Sequence, residues 1–425
     1  MRFEEALQEL EARQPERMVP DLSRIRALAA LLDQPQLTYP TIHVTGTNGK
    51  TTTARLIGRI LCAHGLSTGV YTSPHLDSVR ERLALCDAPI SERDFAETYE
   101  YLLPYLLEVD GSTGRVTYFE TLTALAYLWF TEKPVEAGVF EVGMGGRWDA
   151  TNLIQGKVCV FTEMALDHPE LGSTIEEVAS EKAGVLKEGS IAVIEDAEGA
   201  PLAAVESRVH ELDGTALVFG REYIARGDTA VGGQLVTVEA EGTAYDEMFL
   251  PLYGSHQAIH AGTAVAACQT LLETLDPKAV RRALAGVTSP GRLEVVDRHP
   301  LIVLDGAHNP AGAEALRHAL PEAFTWERAH MVIGVSDNKD IAGIAHALAP
   351  LRPKAYVAAH SSPRAAAPER VLEELGTAGI DAVPFGSVAD ALHAAREAAH
   401  DTDLILVTGS LYTVADARRA LFSDG

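Results

Sequence analysis

Apolar, β-branched runs alternate along the chain with stretches of helical periodicity. Most of these runs lead through a turn into an Ala- and Leu-rich helical stretch, the pattern of βαβ units in parallel sheets covered by helices. The chain is therefore predicted to be an α/β protein. The predicted strands are TIHVTG (41–46), GVFEVG (138–143), VCVFT (158–162), IAVIE (191–195), LIVLDG (301–306), MVIGV (331–335), AYVAA (355–359) and LILVTG (404–409).

A few stretches depart from this alternation and suggest where domains begin. Residues 213–252 have the pattern of short antiparallel strands, and residues 74–92 are predicted to be a loop. Strand–helix alternation restarts after TSPGR (288–292). We therefore predict two domains. Residues 1–288 would form a P-loop-type, mostly parallel sheet flanked by helices with a small antiparallel portion, and residues 289–425 a Rossmann-like α/β domain.

Composition and charge limit the classes of function. The chain has 425 residues, of which 47% are hydrophobic and 22% charged, as in a soluble globular protein with an ample core. No apolar run approaches the roughly 20 residues of a membrane span, and the N-terminus lacks an apolar signal-peptide core. The net charge of −25 argues against binding to nucleic acid or an anionic membrane. An anionic substrate would need local cations, helix N-termini or metal ions.

The cysteines bear on the compartment. Their spacing matches no metal site, so we predict reduced thiols in a cytoplasmic protein. The four are Cys62, Cys86, Cys159 and Cys268.

The stretch HVTGTNGKTTTARLI, which begins at His43, has the features of a phosphate-binding loop. Only two residues separate Gly46 from Gly49, whereas the common P-loop has four between its first glycine and the Gly-Lys pair. Glycines allow backbone N–H groups and the following helix N-terminus to face a phosphate. Lys50 would neutralise the β- and γ-phosphates, and Thr51 or Thr52 would offer a hydroxyl group to Mg²⁺.

Two further segments carry candidate metal ligands. Glu141 lies near the carboxyl end of a predicted strand, where ligands bind in open α/β sheets, so it is a candidate Mg²⁺ ligand. His168 also follows a strand, but a lone histidine is more often structural. The next helix has Ser173 or Thr174 as its N-cap. Lys182 falls in the last turn of that helix, where the residues alone suggest an ordinary solvated lysine.

The GTNGK loop resembles the shortened phosphate loop of the Mur ligase superfamily of ATP-dependent, amide-forming ligases. Nearly the whole chain resembles the folate branch of that superfamily, dihydrofolate synthase and folylpolyglutamate synthase. The resemblance implies an ATP-dependent ligase that adds L-glutamate to dihydropteroate or to the glutamate tail of reduced folates, through an acyl phosphate. The matching segments are TSPHL (72–76), TYFE (117–120), EVGMGGRWDATN (141–152), LDH (166–168), EKAG (181–184) and DGAHNP (305–310).

The resemblance also implies roles for individual residues. ATP would contact Thr47, Asn48, Gly49, Lys50, Thr51, Thr52, His260, Arg292 and Asp305. Two Mg²⁺ ions would be held by Thr51 or Thr52, Ser73, Glu141 and His168. Catalytic roles would fall to Lys50, to Lys182 as a carbamate, and to His308 beside the phosphates. The folate or pteroate group would contact Pro74, Thr117, Phe119, Glu120, Trp148, Asp149 and Ala150.

Two departures from the family pattern leave questions open. Folate ligases usually continue the loop as Gly-Lys-Gly-Ser, but here it reads Gly-Lys-Thr-Thr, so the threonine that meets Mg²⁺ is not fixed. His260 replaces the family asparagine that contacts adenine, and a histidine cannot copy the two-bond geometry of an amide. Its contact with ATP therefore stays open.

Two alternatives to a folate ligase are a Mur-type UDP-MurNAc amino-acid ligase and a non-ligase P-loop NTPase. Roughly 45 residues precede the loop, too few for the separate sugar-nucleotide domain of a Mur-type ligase. The protein is expected to act as a monomer on small molecules. Whether both folate activities are present is open.

Overall fold

The computed structural model describes residues 1–14, 20–196 and 198–422. The chain forms two compact units. Unit 1 comprises Met1–Arg226, Val236–Phe249 and Ile259–Val287. Unit 2 comprises Thr288–Gly425 together with two earlier segments, Gly227–Leu235 and Leu250–Ala258.

Unit 1 is built on an eight-stranded sheet in the order β4-β3-β2-β5-β1-β6-β7-β8. The strands pair in parallel except at one edge, where β2, β3 and β4 are antiparallel. The central strands β1 and β5 are buried throughout, as expected for a sheet covered on both faces. The bounds are β1 Thr41–Thr45, β2 Thr68–Tyr71, β3 Leu83–Leu85, β4 Ala88–Pro89, β5 Ala137–Glu141, β6 Gly156–Phe161, β7 Ile191–Ile194 and β8 Thr215–Val218.

The helices of this part of the chain pack on the sheet and on one another. One of them, α5, has buried residues along most of its length, and many of its side chains belong to one hydrophobic core cluster. The bounds are α1 Phe3–Glu11, α2 Ser23–Leu31, α3 Lys50–Ala63, α4 Glu92–Ser112, α5 Tyr118–Glu132, α6 Ile175–Ala183, α7 Gly199–Glu211, α8 Ser255–Leu272 and α9 Pro277–Ala285.

A small antiparallel sheet lies in the region predicted to contain short strands. It consists of β9 (Tyr223–Ala230), β10 (Gly233–Ala240) and β11 (Thr243–Leu250), in the order β11-β10-β9. The prediction is wrong for the start of the region, because residues 215–218 form β8, which pairs in parallel with β7 in the large sheet. Periodicity alone cannot tell which sheet a short strand joins.

Unit 2 contains a six-stranded sheet in the order β12-β13-β17-β14-β15-β16. It is parallel except for β12, which is antiparallel to β13. The strands are β12 Glu294–Arg298, β13 Leu301–Leu304, β14 Ala329–Ile333, β15 Lys354–Val357, β16 Ala382–Pro384 and β17 Leu404–Thr408. The helices are α10 Pro310–Ala323, α11 Ile341–Leu348, α12 Pro368–Thr377, α13 Val388–Ala398 and α14 Leu411–Phe422. The predicted fold class is confirmed.

The predicted loop at residues 74–92 is not structureless. A short 3₁₀ turn (Val79–Arg82) leads into β3 and β4, which extend the edge of the large sheet. These strands have three and two residues, too short to show a clear alternation of polar and apolar positions. The prediction therefore missed this antiparallel edge.

The same edge overturns the prediction of four reduced thiols. Cys62, in the last turn of α3, forms a disulfide with Cys86, just after β3, and their Cα atoms are 5.9 Å apart. The two cysteines are 24 positions apart in sequence, so spacing gave no sign that the β3 edge brings them together. Cys159 and Cys268 are free and buried. In the part of the chain described by the structure, no helix combines the length and apolar character needed to cross a membrane.

Candidate active site

The phosphate-binding loop connects β1 to α3 and is anchored to the segment after β6. The Thr47 N–H donates to the carbonyl oxygen of Glu163 at 2.7 Å, and the Thr162 hydroxyl donates to the carbonyl oxygen of Asn48 at 2.6 Å. Gly49 is the N-cap of α3 and has a φ of 86°, a left-handed conformation that glycine adopts without steric cost. The loop therefore leads directly into a helix N-terminus, as a phosphate site requires.

Two lysines meet at the first glycine of this loop. The Lys50 Nζ donates to the carbonyl oxygens of Gly46 and Thr47, at 3.1 and 3.0 Å. The Lys182 Nζ, from α6, donates to the same Gly46 oxygen at 2.6 Å. Lys182 is only 3% exposed, which overturns its reading as a solvated lysine. Burial, followed by the charge of Lys50, lowers the pKa of Lys182 to about 7.

Glu141, at the end of β5, connects the phosphate loop to the segment that begins at Ser73. Its side chain is buried, at 1% exposure. The Thr51 hydroxyl donates to Oε1 at 2.8 Å, and the Ser73 N–H donates to Oε2 at 2.9 Å. Burial raises the pKa of this carboxyl group, while the nearby Lys50 opposes the rise. Thr51 thus contacts the acid, whereas Thr52 is buried in the helix.

The arrangement around Glu141 fits a magnesium ion. Mg²⁺ prefers oxygen ligands and is usually held by one or two carboxylates together with substrate phosphates. Glu141, the Thr51 hydroxyl and Ser73 provide such oxygens beside the phosphate loop. Among the described residues, no group of three or more His, Cys, Asp or Glu side chains is placed to hold a metal ion. His168 lies beside Asp167, with Nε2 3.3 Å from Oδ2.

In unit 2, three predicted residues surround Gly306. Asp305 follows β13, is buried, and accepts two backbone N–H groups at 2.9 and 2.8 Å. Its pKa is raised by burial, and the Arg292 charge opposes the rise. A Cβ atom at Gly306 would lie 2.5 Å from Arg292 Nη1, so the guanidinium group passes close to this glycine. His308 Nδ1 donates to the Gly306 carbonyl oxygen at 2.9 Å.

Both parts of the chain match models of known domains. Residues 44–268 match the Mur ligase middle domain, and residues 291–411 match the Mur ligase, glutamate ligase domain. The chain is 38% identical to the dihydrofolate synthase/folylpolyglutamate synthase of Mycobacterium tuberculosis, over 97% of this chain and 92% of the relative. The chain belongs to the dihydrofolate synthase/folylpolyglutamate synthase family.

Solved structures agree with this membership. The M. tuberculosis folylpolyglutamate synthase complexed with ADP has a TM-score of 0.95 and 36% identity, covering 99% of this chain and 98% of that one. E. coli FolC in complex with DHPP and ADP has a TM-score of 0.90 and 31% identity, covering 100% of this chain and 98% of that one. The predicted family and the predicted class, an ATP-dependent ligase, are confirmed.

Apart from Pro74, which follows β2, the predicted folate contacts of this family member lie around the start of α5 and in the turn after β5. Phe119 lies against Gly143, where a Cβ atom would be 2.5 Å from its ring. Thr117 caps α5, and its hydroxyl donates to Glu120, which also pairs with Arg24 at 3.0 Å. Thr117 and Glu120 therefore have structural roles that do not depend on a ligand.

The other predicted folate contacts differ in exposure. Trp148 is 49% exposed, whereas Asp149 and Ala150 are buried, and Pro74 is exposed. The Asp149 carboxylate accepts N–H groups from Met144 and Thr151. It thus shapes the turn itself, and contact with folate stays a prediction for all of these residues.

Sequence reasoning missed two acids that lie next to the phosphate-binding loop and the His260 ring. The Glu163 carboxylate accepts the Asn48 side-chain N–H at 2.8 Å, and Glu195 lies 3.0 Å from His260 Nδ1. Glu163 lies just beyond the end of β6, after Thr162, and Glu195 comes directly after β7. The rule that pointed to Glu141, an acid at the carboxyl end of a central strand, would have found them as well.

Proposed function

We propose that this ligase joins L-glutamate to dihydropteroate, to the glutamate tail of a reduced folate, or to both. The observation that carries the proposal is the pair of contacts at Glu141. One buried carboxylate joins Thr51 of the phosphate loop to Ser73, where the segment that resembles the folate loop begins. A phosphate bound at the loop and a carboxylate held by that segment would then be neighbours.

The chemistry proceeds in two steps. A carboxylate oxygen of the acceptor attacks the γ-phosphorus of ATP. The bond between that phosphorus and the oxygen that bridges to the β-phosphate breaks, so ADP departs and an acyl phosphate forms. The glutamate nitrogen then attacks the acyl carbon, loses a proton and displaces phosphate, which gives the amide. Lys50 lies at the phosphate loop and offsets the charge on the departing ADP. This local cation counters the net charge of −25.

Magnesium would be held by Glu141, Thr51 and Ser73, and a second ion by His168. When bound, Mg²⁺ neutralises charge on the phosphate oxygens. Lys182 fits a carbamate, because only a neutral amine reacts with CO₂ and its pKa is lowered to about 7. The carbamate would turn this buried amine into an anion able to face a metal.

In unit 2, Arg292 and Asp305 would contact ATP, and His308 would act beside its phosphates. The close packing of these three residues around Gly306 supports a shared role. We assign ATP and folate binding to residues 1–288 and the ligase domain to residues 289–425. The protein would act as a monomer.

The test is an assay with both acceptors. The protein is incubated with ATP, Mg²⁺ and ¹⁴C-glutamate, and with either dihydropteroate or a reduced folate. Labelled dihydrofolate or a lengthened folate, with one ADP released per glutamate, is the expected result. No product with either acceptor, but turnover with a UDP-MurNAc substrate, would refute the folate assignment.

A further inference from the structure

We infer that Glu195 is a positioning residue for nucleotide binding, because its carboxylate supports the phosphate loop from two sides. On one side the carboxylate contacts the loop through the His260 ring, and on the other through the backbone of Glu163. The inference rests on the proposed use of ATP at this loop.

The first support is the His260 ring. Nδ1 of His260 lies 3.0 and 3.1 Å from the two carboxylate oxygens of Glu195. The ring, on α8, is 5% exposed and occupies the space in which a side chain at Gly49 would lie. Gly49 is the left-handed residue that caps α3. A ring held in this position therefore fixes the side of the loop that leads into the helix.

The second support is the backbone of Glu163. Its N–H donates to Glu195 Oε2 at 3.2 Å. Its carbonyl oxygen accepts the Thr47 N–H at 2.7 Å, and its carboxylate accepts the Asn48 side-chain N–H at 2.8 Å. Through one residue on each side, the Glu195 carboxylate thus reaches Thr47, Asn48 and Gly49.

These contacts span the whole shortened loop. Only Thr47, Asn48 and Gly49 separate Gly46 from Lys50. A loop this short has few residues with which to hold its own shape, so groups outside it fix the direction of its N–H groups. Because the Glu195 carboxylate accepts a hydrogen bond from Nδ1 of His260, the proton stays on that nitrogen. This hydrogen bond also sets the orientation of the ring.

The test is a double-mutant cycle on the full chain, read by calorimetric ADP binding and by the KM for ATP. Glu195→Ala is expected to weaken ADP binding by about tenfold and to raise the KM for ATP, with kcat changed less than about twofold. Glu195→Gln is expected to bind ADP within about threefold of the parent protein. The amide oxygen at the Oε2 position can accept the Glu163 N–H group, and the amide nitrogen at the Oε1 position can donate to Nδ1 of the other His260 tautomer.

Energetic coupling between substitutions at Glu195 and His260 would show that Glu195 acts on nucleotide binding through the His260 ring. In a His260→Ala background, Glu195→Ala should weaken ADP binding clearly less than it does in the parent protein. Glu188→Ala, at an exposed acid, is the matched control and should leave ADP binding unchanged.

Three results would overturn the inference. They are unchanged ADP affinity in folded Glu195→Ala, a Gln variant as weak as the Ala variant, or effects that multiply independently in the double variant. A purely structural role would lower the melting temperature and leave the affinity of the folded protein unchanged. Failure of the parent protein to bind ADP would refute the proposed function as well.

Discussion

Lys50 and Lys182 share one acceptor, the carbonyl oxygen of Gly46, which lies 3.1 Å from one Nζ and 2.6 Å from the other. Burial disfavours the charged form of Lys182, and the nearby Lys50 ammonium group repels it. Both effects lower the pKa of Lys182, so it gives up its proton more readily than an ordinary lysine. The phosphate loop thus places a cation for ATP beside an amine able to be neutral.

Replacing Lys50 with alanine is expected to reduce turnover by about 10³-fold or more, because a local cation at the phosphates is removed. The measurement is ADP release in the two-acceptor assay. Lys157→Ala, at an exposed lysine of β6, is the control and should keep full activity. Activity retained in Lys50→Ala would remove this loop from the mechanism.

Activity that needs a carbamate on Lys182 should depend on pH in a defined direction. The pKa is lowered from 10.5 to about 7, so the amine is increasingly neutral above pH 7 and protonated below it. Carbamate occupancy, and with it kcat, should therefore fall as pH drops through 7. The measurement is a ¹³C signal from the protein in labelled bicarbonate, followed across this range.

Lys182→Ala provides the second half of that test. It is expected to lose most activity and to regain part of it with a short carboxylic acid, which replaces the missing anion. Lys187→Ala, another lysine of the same region, should show no such rescue. Absence of the ¹³C signal together with full activity of Lys182→Ala would refute a carbamate role.

Glu141→Gln separates the charge of this residue from its hydrogen bonds. The amide keeps a similar size and an acceptor oxygen, so the melting temperature should change little. The loss of charge should raise the Mg²⁺ concentration needed for half-maximal activity and lower turnover by about 10²-fold. Glu136→Gln, at an exposed acid, is the control. An unchanged Mg²⁺ dependence would exclude Glu141 as a ligand.

The sequence pattern predicted the central strands because these are continuous apolar runs bounded by turns. It did not predict the β3–β4 edge, since strands of two and three residues carry almost no periodicity. It also missed the Cys62–Cys86 disulfide, because contact between distant residues depends on that edge.

For the candidate site too, features carried by short sequence motifs could be predicted, whereas features that depend on the folded structure could not. Ordered motifs pointed to Thr51, Ser73 and Glu141, which the fold brings together. The choice between Thr51 and Thr52 depends on which face of α3 each occupies, and the lowered pKa of Lys182 depends on burial. Neither the helix face of each threonine nor the burial of Lys182 can be predicted from the neighbouring residues in the sequence.

The Cys62–Cys86 disulfide provides a test of whether α3 lies beside the β3–β4 edge of the large sheet. Its two cysteines are 24 positions apart, and closing a loop of that size reduces the entropy of the unfolded chain, worth about 3.5 kcal/mol of stability. Reducing agent should therefore lower the melting temperature of the parent protein. A Cys62→Ser/Cys86→Ser variant should melt at the lower temperature whether or not reductant is present. Thiol labelling of the unfolded, unreduced protein should detect Cys159 and Cys268 alone. Four reactive thiols, or a melting temperature indifferent to reductant, would show that α3 and β3 are not covalently joined.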